Sequence, residues 1–132
     1  MPDMHVDWKN DSKTDFQRNC KFTLCFESHS HRGFITEKIM DAFYAETIPV
    51  YYGDPDASKI FNPKAFINCS EYGSFQEVID KIISLDQDDE AYLKMLNEPI
   101  FNDPDFIQKS LEEYENYVRH IFEQPYEKAY RR

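Results

Sequence analysis

The sequence predicts an α/β fold: a partial parallel sheet with crossover helices over residues 21–72, then a helical C-terminal part over residues 73–132, with residues 1–20 as a lead-in. Three observations predict it. Lys21–Phe26 alternates apolar and smaller residues with a period of two, and Ile48–Tyr52 is a β-branched and aromatic run. Between them lies a helical pattern, and strand, helix, strand in that order is the parallel crossover unit. After Ser74 the apolar residues change to spacings of three and four.

Each element has a local reason. Ser12–Asn19 can form a short helix in the polar lead-in, where Trp8 and Phe16 are isolated anchors. In the first strand Phe22, Leu24 and Phe26 share one face, and Thr23 and Cys25 the other. Thr36 can cap the next helix, whose stripe is Ile35, Ile39, Ala42 and Phe43, ending near Glu46. Pro49 falls early enough in the second strand that no ladder donor is required of it. Asp54-Pro55 and Asn62-Pro63 mark turns, after which Ala65–Cys69 extends the same sheet. Ser74-Phe-Gln-Glu77 is a capping box opening a helix to about Leu85. Asp88 or Asp89 caps a short helix that ends before Pro99, and Pro104 opens a long one carrying Ile107, Leu111, Tyr114, Val118 and Ile121. Three strands make a lean parallel sheet, so further strands are expected ahead of residue 1.

Composition narrows the function. The 132 residues suit one core, and 25 acidic against 15 basic side chains give a formal charge of -10, which argues against nucleic acid as a partner. Cys20, Cys25 and Cys69 form no Cys-x-x-Cys pair and read as buried thiols of a reducing compartment. No signal peptide or membrane span is visible, and Tyr126–Arg132 reads as a frayed end.

Against this acidic background the loop between the first strand and its helix reverses sign. Residues 28–38 hold His29, His31, Arg32 and Lys38 against one acid, Glu37. A helix N-terminus adds free amides and positive dipole, at the strand end where open α/β sheets bind ligands. A phosphate or diphosphate fits there. Lys38 in a first turn opposes the helix dipole unless an anion is also present. Tyr51, Tyr52 and Gly53 either shape a nucleotide pocket or belong to the core. His29-x-His31 lacks a second ligand pair, so no motif calls for a metal.

Lys21–Glu27, then Gly33-Phe-Ile-Thr-Glu-Lys38, then Pro49-Val-Tyr-Tyr-Gly53 together resemble the donor-binding domain of the α-1,3-fucosyltransferases, glycosyltransferase family ten; the likeness runs on through Phe61–Asn68 and Tyr92–Leu96. The resemblance implies one half of a two-domain GT-B-type enzyme: a Rossmann-like domain that binds GDP-fucose for transfer with inversion. It implies that Lys38 neutralises donor phosphate, that Glu37 hydrogen-bonds ribose or fucose hydroxyls, and that Gly33 and Thr36 shape the start of the helix. Loop and resemblance together give a candidate donor-binding set of Glu27, Ser28, Arg32, Gly33, Phe34, Thr36, Glu37, Lys38 and Tyr52, with Glu37 and Lys38 as catalytic candidates. Ser28 and Phe34 stand where the family has Asn and Tyr, each removing a hydrogen-bonding group. GDP-fucose or GDP is the expected ligand, with no covalent cofactor. A glycan acceptor is expected only with the absent N-terminal domain, which carries the general base, so the chain alone is expected to be inactive. A cytoplasmic, bacterial-type location follows from the same likeness. The alternative is a non-catalytic interaction domain that keeps a degenerate nucleotide-sugar fold.

Overall fold

The computed structural model describes residues 13–125; the Trp8 anchor and the Tyr126–Arg132 end lie outside the described residues. The elements run α1 (Lys13–Gln17), β1 (Phe22–Phe26), α2 (Glu37–Tyr44), β2 (Ile48–Tyr52), β3 (Ile67–Asn68), α3 (Phe75–Asp86), α4 (Asp89–Leu96) and α5 (Phe106–Glu123), with short 3₁₀ turns at Ala57–Lys59 and Cys69–Glu71. The chain divides into two compact units, one ending at Asn102 and the other beginning at Asp103.

In the first unit the strands form a parallel sheet in the order β1-β2-β3. The α/β assignment from the sequence holds. β2 is central, and the register of its pairing explains how it carries Pro49. The Ile48 amide donates to the Lys21 carbonyl on the β1 side (3.0 Å), so alternation turns the Pro49 nitrogen towards β3. Pairing with β3 begins only at Val50↔Ile67, so no ladder bond is lost.

The sheet separates two apolar layers. On one face Cys25 and Tyr51 pack with Ile39 and Ala42 of α2 and with Phe61 and Phe66. On the other, Ile48, Val50 and Ile67 pack with Val78 and Leu85 of α3, with Tyr92 and Met95 of α4 alongside. Burial of this kind, at about 25 cal/mol per Å² of apolar surface, is what holds the unit together.

Several expectations are corrected. β3 is two residues long rather than five, because the Ala65 amide turns back to the Asn62 carbonyl (2.9 Å) and Phe66 points into the core. The apolar face of β1 is only partly covered: Leu24 is 69% and Phe26 41% exposed, since β1 is an edge of the described sheet. Ser74 caps α3 by accepting from the Glu77 amide, but Glu77 reaches back to the Gly73 amide (3.2 Å), one residue earlier than a standard capping box. Asp88, of the two candidates, caps α4 through the Ala91 amide. Cys25 and Cys69 are buried, whereas Cys20 is half-buried. In the second unit α5 forms as expected, but Ile107, Leu111, Tyr114 and Ile121 are exposed, and a lone helix has no second layer of its own to bury them.

The turn from α2 into β2 is a Schellman motif. The Thr47 amide bonds the Ala42 carbonyl and the Glu46 amide the Phe43 carbonyl, which places Glu46 at φ 58°. That left-handed conformation favours glycine. Glu46→Gly is therefore expected to raise stability by up to about 1 kcal/mol in denaturant unfolding, an exception to the usual loss on introducing glycine.

Candidate functional site

The site is built on the carboxyl ends of β1 and β2. Glu27 follows β1 directly, and its amide donates to the Tyr52 carbonyl (2.7 Å), extending the ladder by one bond. Its side chain is wholly inaccessible. The carboxylate accepts from the Thr36 amide (2.9 Å), from the Thr36 hydroxyl (2.8 and 2.9 Å) and from Lys38 Nζ (2.7 Å). Burial alone pushes this carboxyl up, but the Lys38 ammonium and the Thr36 bonds outweigh burial and hold it below its ordinary 4.5.

This geometry corrects two readings and adds to a third. Thr36 is the N-cap residue of α2, yet its hydroxyl serves Glu27 and makes no cap bond to the helix amides. The anion that accounts for Lys38 in the first turn is within the chain: it is Glu27. And Glu27, one of the expected donor-binding residues, holds Thr36 and Lys38 from beneath with a side chain that is wholly inaccessible.

The loop itself is held from the β2 side. Asp54, buried beyond the end of β2, accepts from the Gly33 amide (2.8 Å) and from the Asp56 amide (2.8 Å), while its own amide donates to the Tyr51 hydroxyl (3.0 Å). Tyr51 in turn donates to the Phe34 carbonyl (3.4 Å), and the Ser30 hydroxyl donates to the Gly53 carbonyl (2.8 Å). Gly33 lies at φ 77°, third in a turn closed by the Phe34 amide on the His31 carbonyl (3.1 Å), where only a residue tolerant of positive φ fits well. Asp54 was legible in the sequence only as a turn marker. Asp-Pro-Asp is also an Asx-turn pattern, and that signal could have flagged it.

Thus Ser28, Arg32, Gly33, Phe34 and Glu37 are exposed on one anchored loop and helix start. Glu37 has no side-chain partner among the described residues. Lys38 keeps 36% of its side chain accessible while bonding Glu27. Arg32, 77% accessible, lies 3.4 Å from Asp56, which Lys59 also contacts at 3.0 Å. The basic island is therefore partly neutralised by carboxylates distant in sequence. Tyr51 belongs to the core, with burial pushing its phenol up, and Tyr52 is half-buried between Phe26 and Phe75 at ring separations of 5.7 and 5.9 Å. Two depressions, of about 480 and 530 Å³, are lined by none of residues 27–38. Among the described residues no group of three or more His, Cys, Asp or Glu is placed to hold a metal ion, and no helix is long and apolar enough to cross a membrane.

An anchored, partly cationic loop at the carboxyl ends of parallel strands lies where open α/β sheets of the nucleotide-binding class hold their ligands. The chain belongs to glycosyltransferase family 10 (fucosyltransferase): the family's C-terminal region matches residues 4–98. It is 45% identical over 91 residues to alpha-(1,3)-fucosyltransferase FucT of Helicobacter pylori, covering 69% of this chain and 19% of that protein. It is 34% identical over 104 residues to putative fucosyltransferase R654 of Acanthamoeba polyphaga mimivirus, covering 79% and 17%. Solved structures of alpha1,3-fucosyltransferase agree in fold. The one with GDP-fucose gives a TM-score of 0.69 at 45% identity over 71% of this chain and 28% of that one, and the one with GDP gives 0.66 over 67% and 26%. The chain thus spans about a fifth of these curated relatives.

Two measurements test the anchoring. A Cβ at Gly53 would lie 2.5 Å from both Glu27 Cγ and the Tyr51 hydroxyl, so Gly53→Ala should cost about 1–3 kcal/mol of stability, read by denaturant unfolding. Because the folded Glu27 carboxyl is depressed, its contribution is fully present above pH 4.5 and is lost as pH falls through the folded value. Glu27→Gln should therefore destabilise by about 1–2 kcal/mol at neutral pH and flatten the acid limb of the stability curve. An acid limb as steep as the parent's would remove Glu27 from this role.

Proposed function

We propose that the chain is the GDP-fucose-binding portion of an inverting α-1,3-fucosyltransferase. The observation that carries this reading is the loop from Ser28 to Lys38, anchored by Glu27 and Asp54, in a chain 45% identical to a fucosyltransferase solved with GDP-fucose. In this reading the exposed backbone of residues 28–34 and the first turn of α2 face the donor. Lys38 offers its remaining donors to the diphosphate, and Arg32 adds charge from the loop. Glu37, exposed and without a side-chain partner among the described residues, accepts from ribose or fucose hydroxyls, and Tyr52 borders the site. Glu27 acts as a positioning residue rather than as a ligand contact.

Positioning is what this half contributes to transfer: it holds the diphosphate leaving group, whose charge grows as the glycosidic bond breaks. Activating the acceptor hydroxyl requires a general base on the opposite side of the donor, assigned here to the N-terminal half. The chain by itself is accordingly expected to bind donor without transferring fucose. Ser28 and Phe34 lack the amide and phenol that the family usually carries at these positions, so donor binding should be weaker by about one to two orders of magnitude.

Calorimetric titration of the 132-residue chain is the test. GDP should bind in preference to ADP and UDP, and Lys38→Ala should weaken GDP and reduce the salt dependence of binding. Equal affinity for all three diphosphates, or an unchanged constant on Lys38→Ala, would overturn the proposal. One observation favours a second reading, an interaction domain without catalysis. Leu24, Phe26, Phe75, Ile79 and Ile83 are exposed where β1 and α3 meet solvent, an apolar surface suited to a protein partner.

A further inference from the structure

A depression of about 480 Å³ lies between the end of β3 and the helices α3 and α4. Its apolar lining comes from Phe66, Leu85, Ala91 and Met95. Lys64, Lys81 and Lys94 also line it, as does Tyr72. The lysines stand apart from the other cations. Among the described residues, every other lysine and arginine makes an ion pair with a carboxylate. Lys64, Lys81 and Lys94 make none, and the Tyr72 hydroxyl also lacks a hydrogen-bond partner among the described residues.

In a chain of formal charge -10 a free lysine has many carboxylates to choose from. Three ammoniums without an ion pair among the described residues, against two carboxylates, therefore leave this concave surface slightly positive in an acidic chain. Glu71 and Glu98 line the same depression and keep their charge, Glu71 accepting from Ser58 and Glu98 from Asn62 Nδ2 (3.2 Å), and neither pairs with a lysine of the lining. Tyr72 remains a donor, because burial pushes its phenol up, as does the neighbouring Glu71 carboxylate. An apolar floor with a few polar donors in the lining is the make-up of a small-molecule site, and this volume is of the size such sites have.

We propose that this depression is a second binding site, separate from the 28–38 loop, for a small anion that carries an apolar or aromatic body. The body covers Ala91 and Met95 above the buried Phe66 and Leu85, and the anionic group takes the lysine ammoniums and the Tyr72 hydroxyl. Phosphate and carboxylate head groups share this chemistry.

Nuclear magnetic resonance titration of the 132-residue chain distinguishes them, with 1-naphthyl phosphate and 1-naphthoate as probes and 1-naphthol and inorganic phosphate as controls. At least one of the two anions should shift the amides of Tyr72, Lys81, Ala91 and Lys94, and the tighter one names the head group. Each control should bind more weakly than that anion. Lys81→Ala and Lys94→Ala should each lower its affinity about threefold, and should leave GDP binding unchanged. Both side chains are without ion pairs, so these variants should fold as the parent does, checked by their amide spectra. The proposal is overturned if neither anion shifts these amides at millimolar concentration, if shifts appear only at residues 28–38, if 1-naphthol binds as tightly as the anions, or if the lysine variants bind the anion unchanged.

Discussion

The buried carboxylate of Glu27 is the interaction on which the functional end of this molecule depends. It joins the last residue of the β1 ladder to the first turn of α2, through a backbone amide, a hydroxyl and an ammonium. A carboxylate with no accessible surface is costly to desolvate and persists only where its partners are complete. Here the cost is met by the groups that a ligand site needs held in place. The strand end, the helix start and Lys38 cannot drift independently while Glu27 remains ionised.

Asp54 performs the equivalent task from the other strand. It ties the Gly33 amide to the turn after β2, and through Tyr51 it ties that turn to the core. The loop from Ser28 to Phe34 is therefore exposed without being unanchored. This matters because a loop that must order on binding loses affinity to conformational entropy, whereas a loop ordered beforehand does not. The two acidic anchors also reduce the positive field of the loop. Binding of a diphosphate would then rest on geometry and on the directed bonds of Lys38 and the backbone more than on net local charge.

The two halves of the first unit divide the labour. The face covered by α2 supports the loop, and the face covered by α3 and α4 supports the lysine-lined depression. The same three strands carry both, since side chains alternate across a sheet and successive residues such as Val50 and Tyr51 serve opposite layers. Membership of the fucosyltransferase family fits the first face; the second has no counterpart in that assignment.

The sequence by itself determined the strands β1 and β2, the helices between and after them, and the loop as the place to look, because periodicity and turn residues act over a few positions and survive in any context. The family likeness was equally legible, since it resides in contiguous motifs. What only the tertiary structure decided were the pairings across distance. Lys38 looked like a cation awaiting a ligand until Glu27, eleven residues earlier in the chain, was found beside it. Thr36 looked like an ordinary cap, and Asp54 like an ordinary turn residue. Whether Leu24 faces a core or solvent depends on what covers a sheet edge, which no local pattern encodes. Which lysines lack ion pairs among the described residues is likewise a property of the folded surface: Lys64, Lys81 and Lys94 are dispersed in sequence and line one depression only because α3 and α4 pack beside the end of β3.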